Sequence, residues 1–132
     1  MKTFISAKLA GSILLLALAL LAILHVLILF QVVPPGIVWG GQIGGASGNL
    51  VVLETMALLV TLLFALIIAM KAGYVRTTRF KRAAGFGMWL VFAYFVLNTF
   101  GNLASGVSAE RLLFAPITIL LAVLALRLAL EK

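Results

Sequence analysis

The sequence predicts an all-α integral membrane protein: a four-helix bundle with both termini cytoplasmic, short loops and a Gly-rich first outer loop. Three observations carry that expectation. Residues are 65% hydrophobic and only 10% charged, with a mean hydropathy of +1.31, too little charge to cover a soluble surface for 132 residues. Four apolar runs, about 9–33, 50–70, 83–103 and 111–130, are each long enough to cross a hydrocarbon core about 30 Å thick. Five of the ten basic side chains, Lys71, Arg76, Arg79, Lys81 and Arg82, lie in twelve residues between the second and third runs. Such a cluster stays cytoplasmic during insertion, so these five residues determine topology.

Residues 1–132 read as a single four-span membrane domain. The first run follows Lys2 and Lys8 and is longer than a secretory apolar core of about 7 to 15 residues, so it reads as a retained span. Pro34-Pro35 is expected to stop it, because two amide donors are missing and φ is fixed. The following stretch to Asn49 is uncharged and holds five glycines between Gly40 and Gly48. Its Gly40, Gly44, Gly48 spacing suits either a flexible connector or a close helix approach. Trp39 fits an interfacial anchor. Ser47 or Asn49 can cap the second span, and Pro116 is tolerated in the first turns of the fourth.

Counting Lys and Arg, the inner side receives Lys2, Lys8, Lys71, Arg76, Arg79, Lys81, Arg82, Arg127 and Lys132, against Arg111 alone outside. A bias this strong argues against insertion in both orientations. The net charge of +7 is therefore a matter of membrane orientation. Nucleic acid is not an expected partner, since no basic face interleaved with aromatics is present. The absence of Cys excludes disulfides, thiolate metal sites and covalent haem, and one His with three acids builds no dense metal site. No cofactor is expected.

Depth supplies the candidate site. His25 lies sixteen residues beyond Leu9, Glu54 sixteen before Met70 and Asn98 fifteen beyond Ala83, which places all three roughly 22–24 Å above the inner edge. On the third span Gly87, Val91, Tyr94, Asn98, Asn102 and Ser105 form one stripe, leaving Phe86, Trp89, Phe92, Phe95, Val96 and Phe100 outside it. On the second, Glu54, Thr61, Ala65, Ala69 and Ala72 form a stripe; on the fourth, Arg111, Ala115, Thr118, Ala122, Ala125 and Ala129 do. Small residues mark helix contacts in lipid. The expectation is a tight Ala-rich inner half and an outward-facing polar pocket. Its lining is His25, Glu54, Tyr94, Asn98, Asn102, Arg111 and Thr118, and Gln42 and Asn49 close it from the loop. Glu54 has two available partners, His25 and Arg111, and Glu110-Arg111 can alternatively form a surface pair.

Two function classes fit these residues best. One is binding or transport of a small cationic, proton-coupled or amphiphilic solute by an oligomer, with Glu54 and His25 taking up the cation or proton. The other is a non-catalytic accessory or assembly subunit docked by its helices on a larger membrane complex. A third, a small lipid-modifying enzyme using His25 and Glu54 as acid and base, lacks any supporting nucleophile or metal motif. The lipid bilayer is the one partner common to all three. Sparse loops, small size and the lack of a glycosylation acceptor after Asn49 and Asn102 point to a bacterial inner membrane.

Overall fold

The structure is a computed structural model that describes residues 4–34 and 48–132. Four helical segments follow one another: α1 (Ala7–Leu29), α2 (Gly48–Lys71), α3 (Lys81–Ala104) and α4 (Ala115–Ala129), the last entered through a π-helical turn, Glu110–Phe114. All four are long and apolar enough to cross a membrane, which marks the chain as a multi-pass membrane protein. Each helix packs on two neighbours, α1 on α2 and α4, α3 on α2 and α4, giving a ring of antiparallel helices. The apolar exterior of this bundle, including Leu16, Leu20, Leu62, Leu66, Phe86, Leu97 and Val123, is what a lipid-facing surface requires.

Local chemistry explains most helix ends. Ser6 caps α1 by accepting from the Leu9 amide at 3.1 Å. The far end of α1 falls at Leu29, short of the expected stop at Pro34-Pro35. There Gln31 adopts φ 60°, its amide bonds Ile28 O at 2.9 Å, and the Val32 amide bonds Leu27 O at 2.9 Å. These two bonds satisfy carbonyls that the helix would otherwise leave open, so the chain leaves the helix before proline is reached. The end of α2 repeats the device with Gly73 at φ 85°: Gly73 N bonds Met70 O and Tyr74 N bonds Ala69 O. Of the expected loop features, Trp39, Gly40, Gln42, Gly44 and Ser47 lie outside the described residues.

The basic end of the bundle is closely packed. A Cβ placed on Gly11 would lie 2.4 Å from Ala72 Cβ, so only glycine permits this approach of α1 to α2. Lys71 Nζ donates to the Glu131 carbonyl, and Arg127 donates to the Ile5 carbonyl at 3.0 Å and to the Glu131 carboxylate at 2.6 Å. These bonds hold the segment before α1, the end of α2 and the segment after α4 together. Above them runs an apolar core of Ala10, Leu14, Leu18, Ile68, Met88, Val91, Phe95, Leu121, Leu124, Ala125 and Leu128. The Ala-rich seam expected on α4 is present, with Ala115, Thr118, Ala122, Ala125 and Ala129 all buried.

On α3 the buried face is Ala84, Gly87, Met88, Val91, Phe95 and Asn102. Phe95 therefore points inward, contrary to expectation, and Tyr94 is 39% exposed. The reason is volume: four helices in a ring leave a central gap that Phe95 and Met88 fill, while the Tyr94 ring packs edge-on against Phe64 at 5.0 Å.

Candidate functional site

Toward the end of the bundle away from the basic loop, buried polar residues, His25, Glu54, Asn102, Ser105, Glu110 and Thr118, stand among buried apolar ones such as Ile28, Leu50 and Ala115. Their placement follows from the helix periods. On α1, His25 continues the buried row of Leu14, Leu18 and Ile28 at helical spacing, so its imidazole is carried into the α1–α2 contact. On α2, Glu54 lies about two turns before Thr61 and about four before Ile68, both also buried on the same face, and presents its carboxyl to the same contact.

The two side chains meet. His25 Nδ1 lies 2.5 Å from Glu54 Oε2, with Glu54 0% exposed and His25 buried. One proton lies between nitrogen and oxygen in this geometry, whether the pair is imidazolium with carboxylate or imidazole with carboxylic acid. Either form avoids an isolated charge buried within a spanning helix, which is costly in hydrocarbon. The low dielectric strengthens the contact, and removing either partner strands the other.

The other expected residues divide. Thr118 is buried, donates to the Ala115 carbonyl at 3.0 Å and stands 2.9 Å from Thr99 Oγ1, joining α4 to α3. Asn102 is buried, and its carbonyl accepts the Ser105 amide. Asn98 is partly buried and Asn49 is exposed in the first turn of α2. Arg111 is exposed, so of the two partners available to Glu54 it is His25 that the fold supplies.

Two contributors were not foreseen. Thr99, next to Asn98, makes the α3–α4 hydroxyl contact. Glu110 is buried and accepts from the Ser105 hydroxyl, which also accepts the Val107 amide at 3.0 Å. The cause lies at Pro116, which has no amide to give to Leu112 and whose ring crowds that carbonyl. The preceding turn widens, the Ala115 amide bonds Glu110 O five residues back, and the register upstream shifts. Glu110 turns inward and Arg111 outward. An acid at a helix start after Ser-Gly, favoured by the helix dipole, was the available signal.

Among the described residues no buried side-chain nitrogen or oxygen lacks a hydrogen-bond partner, and no group of three or more His, Asp or Glu is placed to hold a metal ion. Comparison of the chain with protein-family models, with curated proteins and with solved structures finds no match, so its function has to be read from the site itself.

Proposed function

We propose that this protein binds, and in an oligomer transports, a small cationic or proton-coupled solute at the His25–Glu54 pair. The observation that carries the reading is a fully buried carboxyl group, within a membrane-spanning helix, bonded at 2.5 Å to the chain's one histidine on a neighbouring helix. Ionisable groups at such depth are rare, and they mark proton relays and ion paths. Imidazole is also the side chain whose ordinary titration falls nearest physiological pH. With the basic loop cytoplasmic, the polar half of the bundle faces the outer side, and Asn98, Asn102 and Thr118 belong to that half; Gln42 lies outside the described residues. The close-packed basic half closes the other side, so passage requires an alternating rearrangement. A bacterial inner membrane suits this arrangement.

A second reading is a non-catalytic assembly subunit of a larger membrane complex. It is favoured by one observation: every buried polar side-chain atom among the described residues is already satisfied within the chain. The polar layer is then internal structure.

One experiment separates the two. Purified wild type and Glu54→Gln are melted with a panel of monovalent cations and small amphiphilic amines. Under the first reading one probe stabilises the wild type, by about 2.7 kcal/mol at a hundredfold excess over Kd, and leaves Glu54→Gln unmoved. If no probe stabilises the wild type and Glu54→Gln copurifies with the same stoichiometric partner as wild type, the solute-site reading fails and the assembly reading holds.

A further inference from the structure

We propose that the α2–α3 loop and the neighbouring start of α1 form a binding surface for anionic phospholipid headgroups, independent of the His25–Glu54 site. The chain has ten Lys and Arg but only three acids. Each acid is already engaged: Glu54 with His25 and Glu110 with Ser105 toward the opposite end, and Glu131, at the basic end, with Arg127. Lys8, Arg76, Arg79, Lys81 and Arg82 are all exposed, and none of them has a carboxylate within ion-pair distance. Five like charges on one end of the bundle repel one another, and the one acidic side chain at that end, Glu131, is already paired with Arg127; an outside anion supplies the missing counter-charge.

Position and composition identify that anion as a lipid headgroup. The cations stand at the ends of α1, α2 and α3, where membrane-spanning helices reach the phosphate level. Contrary to the expectation that no basic face carries aromatics, exposed Tyr74, Val75 and Phe80, 48%, 42% and 52% accessible, stand among these cations; a soluble acidic partner would leave them in water, and the interfacial zone accommodates them. The surface is also shaped. Ser12 gives its one hydroxyl proton to the Lys8 carbonyl at 2.8 Å, so Tyr74 OH is the donor in its 2.5 Å contact with Ser12 Oγ. That bond pins the loop to α1 and sets Lys8 Nζ 5.4 Å from the Tyr74 ring centre. Arg79 lies 5.6 Å from the Phe80 ring. Both cationic heads lie over aromatic faces and keep donors for phosphate oxygens.

The test uses the full chain purified in neutral detergent, so insertion orientation does not enter. Retained lipid is counted by native mass spectrometry, and melting is followed with added phosphatidylglycerol, phosphatidylcholine of the same acyl chains, or inorganic phosphate. Wild type is expected to prefer phosphatidylglycerol and to be stabilised by it alone. Arg79→Gln and Arg82→Gln are each expected to weaken that preference about fivefold, the equivalent of the ~1 kcal/mol per basic residue near an anionic surface. Raising salt to about 1 M, where screening acts over about 3 Å, is expected to do the same. Equal retention of the two lipids by wild type overturns the proposal, as does unchanged preference in both variants. Equal stabilisation by inorganic phosphate overturns the lipid assignment.

Discussion

Gln31 occupies a left-handed backbone conformation that its side chain does not favour, with φ at 60° beyond the end of α1. Its neighbour in role, Gly73 at the end of α2, adopts φ 85° without that cost. Gln31→Gly therefore relieves roughly 1–2 kcal/mol of left-handed cost and returns about 0.5–1 kcal/mol through the freer unfolded chain. Because Gln31 is exposed, no packing is lost, and the expected result is a small rise in melting temperature. Gln31→Val is expected to lower it. At this scale the sequence was informative about His25 and Glu54, because helical rise is regular and equal counts from the inner edge bring residues to equal depth. It was uninformative about Glu110 and Arg111, whose facing depends on how one turn accommodates Pro116.

Between helices, the decisive quantity is how closely backbones approach. Gly11 and Gly101 make a matched pair: both lie within spanning helices, but a Cβ on Gly11 meets Ala72 Cβ at 2.4 Å, whereas a Cβ on Gly101 meets nothing within 4 Å. Alanine gains up to about 1 kcal/mol of helix propensity at either site. At Gly11 this is outweighed by overpacking, typically about 1–3 kcal/mol, because Ala72 has no flexible end to move aside. Gly11→Ala is thus expected to lower the melting temperature in detergent and Gly101→Ala to raise it. Equal effects would contradict the close α1–α2 contact. The spans themselves were legible, since length and hydropathy are set by the bilayer, and the small-residue stripe of α4 was legible for the same packing reason. The face of α3 was less so. Polar spacing favoured Tyr94 inward, but filling the centre of a four-helix ring selected Phe95, a question of volume that one helix's pattern does not contain.

For the molecule as a whole, the two ends differ in kind. One is basic and close-packed, tied by Lys71, Arg127 and Glu131; the other carries the buried polar residues and the His25–Glu54 pair. This asymmetry underlies the proposal of a solute site reached from one side. Its most direct test exploits a simple fact of composition: the chain contains one histidine. Protein labelled with [15N]histidine and reconstituted in bilayers gives one imidazole, whose Nδ1 and Nε2 shifts report where the proton resides. The expected result is an Nδ1 resonance of a strong hydrogen bond, slow to exchange with water, which changes in Glu54→Gln and shifts when the stabilising cation or amine is added. An imidazole signal in rapid exchange with water, identical in wild type and Glu54→Gln, would contradict both the pair and the function built on it.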